Sequence, residues 1–145
     1  MVVVLLSAFG MTLMAVGVHY FALSTLTNFL MEREYHSRRL VGFSVVAMLF
    51  AHIVEISIFA VGYVIFHRNL DYGDLVGDMN DNLFNDYWYF SFVSYTSLGF
   101  GDIVPEGDIR ILTGIETLTG LILIAWTASF IFMQMHRFWS DSVRP

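Results

Sequence analysis

Three stretches of this chain, Val2 to Leu30, Leu40 to Phe66 and Ile109 to Met135, are each long and apolar enough to cross a lipid bilayer, a task that takes about 20 mainly apolar residues in a helix. Within hydrocarbon every backbone amide must find its partner inside the protein, so a spanning segment is a helix or part of a closed barrel. Runs of this length are helices. Of the 145 residues, 57% are hydrophobic and 14% charged, and the mean hydropathy is +0.65, a balance that excludes an ordinary soluble domain. The fold class that follows is an all-α membrane protein with three transmembrane helices. The first run has no basic leader and no small-residue cleavage site, and it is longer than a signal-peptide core, so it is read as a retained helix.

Arginine sets the expected orientation. All basic residues are Arg, and five of the seven lie between the first two spans (Arg33, Arg38, Arg39) or after the third (Arg137, Arg144). Cytoplasmic loops carry such an excess, so the N-terminus is expected outside and the C-terminus in the cytoplasm. The segment between the second and third spans is then external, and it holds Asp71, Asp74, Asp78, Asp81 and Asp86 against Arg68. The formal charge of −6 argues against a nucleic-acid partner, whose affinity comes from neutralised phosphates. The absence of Cys removes disulfide frameworks and thiolate chemistry. No Ser-His-Asp order, phosphate loop or converging carboxylate pair suggests an enzyme.

A fourth apolar run, Tyr87 to Leu98, is too short to cross and ends in Gly99-Phe100-Gly101-Asp102. It is expected to enter the membrane and turn back, which is tolerated where protein buries the irregular backbone or where it lines a water-filled path. Glycine at alternate positions allows conformations in which successive carbonyls point the same way. Thr96-Ser97-Leu98-Gly99-Phe100-Gly101-Asp102 resembles the threonine-valine-glycine-tyrosine-glycine-aspartate signature of the potassium channel pore-loop family. The resemblance runs from about Asp86 to Met135. It implies a pore helix, a selectivity filter in which rings of carbonyl oxygens replace the ion's water, and an inner helix with a mid-helix glycine, Gly120.

Carried over position by position, the resemblance makes Ser97, Leu98, Gly99 and Phe100 the expected K+ ligands, with Gly101 closing the filter. Asp102 shapes the outer mouth and Thr96 supports the filter from below. One filter per chain cannot enclose a path, and the family implies a cyclic homotetramer. The expected organisation is an extra N-terminal helix over 1–31, a cytoplasmic loop over 32–39, a pore domain over 40–135 and a cytoplasmic tail over 136–145. Within the pore domain come an outer helix 40–66, an external acidic loop 67–85, a pore helix 86–96, the filter 97–101 and an inner helix 109–135. The filter departs from the signature in Ser97, Leu98 and Phe100, and the missing tyrosine hydroxyl implies fewer lateral hydrogen bonds. Val93 stands where some relatives carry a glutamate, which leaves Asp102 without that partner.

Ionisable residues inside spans are functional hypotheses by default. His52 and Glu55 lie one turn apart on the second span and pair there, as a satisfied hydrogen bond or as a proton-sensitive gating element. A metal site is not favoured, because no further His or carboxylate lies within that span, and His19 is expected to be a packed or interfacial residue. Glu116 braces the back of the filter or faces the path, Gly120 is a gating hinge or a contact, and Thr117, Ile124 and Ala128 are candidates to line an inner cavity. Gly10 and Gly17 offer close approach for the first helix, whose role is peripheral packing or regulation. The segment Asp78 to Asn82 starts like a calcium loop, but Leu83 and Tyr89 stand where glycine and the bidentate glutamate belong. It is read as an acidic turret. Tyr87, Trp88, Tyr89, Phe138 and Trp139 are read as interfacial aromatics.

No span carries an Arg ladder, so charged-helix voltage sensing is not expected. The tail after Met135 is too short to fold, so this chain is read as lacking a soluble ligand-sensing domain. The function that follows is passive K+ permeation, with no cofactor beyond the permeant ions, and with membrane lipid and further copies of the chain as partners. The alternatives are a poorly selective monovalent cation channel and a non-conducting scaffold or regulatory subunit. The compact plan resembles channels of prokaryotic plasma membranes.

Overall fold

The computed structural model describes residues 1–31, 38–70, 72–79 and 83–140, with the side chains of 31, 38, 68–69, 83–84 and 138–140 excepted. The elements are α1 (Val2–Met31), α2 (Arg38–Val64), a π-helical turn (Ile65–Asn69), β1 (Leu75–Gly77), α3 (Leu83–Tyr95), β2 (Ile103–Pro105) and α4 (Ile109–Ser140). Three helices are long and apolar enough to span a membrane, over Val2–Leu30, Arg39–His67 and Ile109–Arg137. The protein is a membrane protein of mostly helical architecture. The expected loop 32–39, apart from its last two residues at the start of α2, lies outside the described residues, as do Asp71, Asp81 and the side chains of Phe138 and Trp139.

Two elements differ from expectation. The segments on either side of α3 and the glycine-marked run after it pair as an antiparallel two-stranded sheet, Leu75 opposite Pro105, Val76 opposite Val104 and Gly77 opposite Ile103. Three-residue strands leave no periodic signal in a sequence, so the acidic loop reads as unpaired until its partner is seen. The pairing is extended by Asp78 N donating to Asp102 O at 3.0 Å and Glu106 N donating to Asp74 O at 2.8 Å, and it ties the loop to the residues that follow Gly101. The helix α4 does not stop at Met135 but continues to Ser140, because nothing between Gln134 and Trp139 breaks a helix.

The core forms two clusters. One joins Val4, Ala8 and Ala15 of α1 to Phe59 and Tyr63 of α2, Tyr87 and Phe90 of α3, and Leu112 and Leu123 of α4. The other joins Leu23, Leu26 and Leu30 to Val41, Met48, Ala51 and Phe130. Thus α1 packs against both α2 and α4, and Thr12 Oγ1 and Thr119 Oγ1 hydrogen-bond at 3.2 Å between α1 and α4. Lipid is as apolar as these side chains, so helix association rests on close packing and polar bonds rather than on the hydrophobic effect. Close approach does not occur at Gly10 or Gly17, where a Cβ would meet nothing within 4 Å. It occurs at Gly62, where a Cβ would fall 2.6 Å from the Met11 side chain, and at Gly120, where it would fall 2.1 Å from the Tyr95 carbonyl oxygen.

Candidate functional site

The end of α3 and the segment after it form one device. Ser97 N donates to Ser94 O at 3.0 Å and Leu98 N to Val93 O at 2.9 Å, the paired bonds of a Schellman cap with Ser97 as the left-handed residue. Its φ is +59°, the one positive value at a described non-glycine residue, where a Cβ costs about 1–2 kcal/mol. Beyond it φ is +53° at Gly99 and +79° at Gly101, and negative at Leu98 and Phe100. A backbone that alternates in hand turns successive peptide groups the same way, with N–H groups along one side and carbonyls along the other. A Cβ on Gly99 or Gly101 would have open space, so the glycines are required by the backbone angle and not by crowding. The whole segment is exposed, with Leu98 at 55% and Phe100 at 65%.

Asp102 closes this segment and does have a partner. Tyr89 donates its hydroxyl to Asp102 Oδ2 at 2.5 Å, and Ile103 N donates to Oδ1 at 3.1 Å. Tyr89 thus fills the role left open by Val93, from a position one turn earlier on α3. The hydroxyl beside it holds the Asp102 carboxyl below its ordinary value. Tyr87 is not interfacial either. It is buried at 1% exposure, and its hydroxyl meets His67 Nδ1 at 2.9 Å, while His67 Nε2 lies 3.5 Å from Asp74. Trp88 Nε1 donates to Ser57 Oγ at 3.2 Å. The aromatic run therefore fastens α3 to the end of α2 and to the loop.

Two buried carboxylates lie behind α3. Glu116 of α4 accepts from Tyr63 of α2 and from Ser91 of α3, both at 2.5 Å, so it faces the body of α3 between its neighbours. Glu55 of α2 accepts from the Tyr95 hydroxyl and lies 2.9 Å from both His19 Nδ1 and His52 Nδ1. His52 Nε2 lies 3.0 Å from Thr127 Oγ1 on α4. His19 is fully buried and is a member of this polar group, not an interfacial residue.

A family model described as ion channel matches residues 51–137 of this sequence. The chain belongs to that ion channel family. Among curated proteins, it is similar to the inward rectifier potassium channel Kirbac3.1 of Paramagnetospirillum magnetotacticum, with 26% identity over 110 residues. That match covers 74% of this chain and 35% of the relative.

Within the chain, the residues singled out in sequence fall into three places. Ser97 to Gly101 form the exposed alternating segment, with Asp102 at its end. Thr96 turns its hydroxyl back onto Phe92 O at 2.8 Å, within its own helix. Gly120 is a point of contact, where α4 passes the Tyr95 carbonyl without a break in the helix. Thr117 donates to Ser94 O at 3.0 Å, so it holds the end of α3, whereas Ile124 and Ala128 line a cavity beside His52, Tyr95 and Thr127. Sequence reasoning missed Tyr89, Tyr95, His19 and Thr127 as polar partners. The available signal was His19, the ionisable residue of the first span.

Proposed function

We propose that the channel is a tetrameric, K+-selective pore whose filter is Ser97-Leu98-Gly99-Phe100-Gly101. The observation that carries this reading is the alternation of backbone hand at Ser97, Gly99 and Gly101, since a row of carbonyls facing one side is what dehydrated K+ requires. The row begins at the C-terminus of α3, whose dipole presents about half a negative charge, and a cation is the ligand that such an end favours. Each chain leaves its row open to one side, and four copies around an axis close the rows into rings. The similarity to an inward rectifier potassium channel supports the choice of ion. In this reading Ser97 adds a hydroxyl at the inner end, and K+ ions in the filter are cargo rather than cofactors. The acidic loop, β1 and β2 face the outside, and both the loop 32–39 and the tail 136–145 face the cytoplasm of a cell membrane.

The test is the reversal potential of the purified channel in planar bilayers under opposing K+ and Na+ gradients. A value near the K+ equilibrium potential is expected for the parent chain. Gly99→Ala, which forces a Cβ into a left-handed position at a cost of about 1–2 kcal/mol, is expected to abolish the selective current. A reversal near zero with sustained current would favour a poorly selective pore, the reading suggested by the Phe100 ring, which lacks the tyrosine hydroxyl.

A further inference from the structure

The buried group behind Tyr95 draws on every long helix and on α3: His19 from α1, His52 and Glu55 from α2, Tyr95 from α3 and Thr127 from α4. Glu55 Oε1 faces His19 Nδ1 at 2.9 Å, and Oε2 faces His52 Nδ1 at 2.9 Å together with the Tyr95 hydroxyl. The Tyr95 hydroxyl also lies 3.0 Å from His52 Nδ1. With Glu55 ionised, its carboxylate offers only lone pairs, so both Nδ1 atoms carry hydrogen toward it. The two remaining nitrogens both face one hydroxyl, His52 Nε2 at 3.0 Å and His19 Nε2 at 3.5 Å from Thr127 Oγ1. Elsewhere on α4, Thr113, Thr117, Thr119 and Ser129 donate to the carbonyl four residues earlier. Thr127 makes no such bond, and its partners are the two imidazoles.

The hydrogens can then be counted. A hydroxyl has one hydrogen to give and two lone pairs to accept with. It satisfies one Nε2 lone pair, and the other Nε2 is partnered by Thr127 only when it carries hydrogen and donates to that oxygen. With every polar atom of the network satisfied, one of the two rings holds hydrogen on both nitrogens, and its positive charge cancels that of Glu55, as the interior of a membrane favours. A second charged ring is opposed by the first, because the two ring centres are 5.4 Å apart and like charges at that range disfavour each other. Trp126 of α4 packs against His19, with ring centres 5.2 Å apart and a tilt of 40°. The other nearby carboxylate, Glu116, acts on Tyr95 only through space, its own oxygens being held by Tyr63 and Ser91.

We propose that His19 and His52 share one proton through Thr127, and that this proton-bearing network positions Tyr95, the last residue of α3 before the filter cap. Resting on the pore reading above, it gives α1 a place in the function: His19 supports the ion pathway from outside it. As pH rises and the proton leaves, a net negative charge and two Nε2 lone pairs compete for one hydroxyl hydrogen. A half-open cavity of about 550 Å³ bordered by His52, Tyr95 and Thr127 gives His52 room to turn away. Glu55 and Tyr95 are then released from it, and current falls. A divalent cation on the two imidazoles and Glu55, with Tyr95 neutral, would place a net positive charge in the membrane core, so the network favours a proton.

The experiment is side-chain nitrogen NMR of the full chain in lipid nanodiscs, labelled with nitrogen-15 histidine, in chelator, from about pH 5 to about pH 9, the range around imidazole titration. Signals are assigned with His19→Gln and His52→Gln. One imidazolium between His19 and His52, lost in a single step that moves the signals of both rings, is expected. Thr127→Val, which keeps the shape and removes the hydroxyl, is expected to shift that step by about one pH unit, a tenfold change in proton affinity, and to uncouple the rings. In bilayers the current is expected to fall over the same pH range, and His19→Gln is expected to remove that dependence while leaving the reversal potential in place. Two neutral rings throughout, or two independent titrations in the parent chain, would overturn the shared proton. With the chelator omitted, His19 and His52 signals altered by one equivalent of zinc would overturn it in favour of a metal. An intact titration with a current indifferent to pH would overturn the positioning role, and an intact titration with no current at all would count against the pore reading instead.

Discussion

Tyr89 and Asp102 show how a single hydroxyl can set the charge of a carboxylate. Asp102 stands directly after the alternating segment, and its carboxylate accepts from Tyr89 and from the backbone of Ile103. Both bonds favour the ionised form, and the Tyr89 bond is the larger cause of a carboxyl held below its ordinary value. The sign follows. A depressed carboxyl keeps its charge as pH falls through the usual carboxylate range and loses it only when pH falls through the lowered value, and any stability it adds is lost over that same acid window. Tyr89→Phe removes the main cause and returns Asp102 toward its ordinary value. Block of current by acid on the outer side is therefore expected to begin at higher pH in Tyr89→Phe than in the parent chain, while Asp102→Asn shows no such titration. Current–pH curves with the inner side held neutral check this, and coincident curves for parent and Tyr89→Phe would exclude the role of the hydroxyl.

At the scale of elements, α3 meets α4 in a close backbone approach. Gly120 faces the Tyr95 carbonyl so closely that a Cβ would lie 2.1 Å from its oxygen, and backbone cannot give way as a flexible side chain can. Gly120→Ala is expected to destabilise the channel by about 1–3 kcal/mol, the range for overpacked sites, whereas Gly17→Ala, with open space around it, is expected to be neutral or mildly stabilising. Thermal unfolding in the same detergent or nanodisc decides it. If Gly120→Ala unfolds at the parent temperature, the contact is not as close as described. The three spanning helices are legible in the sequence because their signal is long and local, as is the glycine-marked segment after α3. The sheet between Leu75–Gly77 and Ile103–Pro105 is not, because three residues carry no period and the pairing skips over a helix. The same reason hides the polar partners: Glu55 with His52 is a one-turn relation that spacing exposes, whereas His19, Tyr95 and Thr127 reach Glu55 and His52 from three other helices whose rotations no single sequence fixes.

At the scale of the whole molecule, charge and apolar surface are sorted to different ends. Asp74, Asp78, Asp102, Glu106 and Asp108 lie in the strands and turns around the segment that follows α3, while the lengths of α1, α2 and α4 present Phe9, Phe21, Phe50, Leu121 and Phe132 as exposed apolar surface. Such a surface suits a lipid or subunit environment. Several of those acids are engaged. Asp102 is held by Tyr89, Asp74 lies near His67, and Asp108 is paired with the amino group of Met1. Asp78 is tied through its backbone to the Asp102 carbonyl, and its side chain is exposed. In the proposed tetrameric pore that carboxylate, repeated by symmetry, would concentrate cations at the entrance, and a field of this kind acts over a Debye length of about 30 Å at 0.01 M salt but only about 3 Å at 1 M. Asp78→Asn is therefore expected to lower single-channel K+ conductance at low salt and to leave it unchanged at 1 M, with selectivity intact at both, because the substitution alters the supply of ions and not the ligands that sort them. Conductance measured over that salt range distinguishes this from damage to the filter, which would persist at 1 M. Equal conductance at low salt would mean that Asp78 lies too far from the axis to steer.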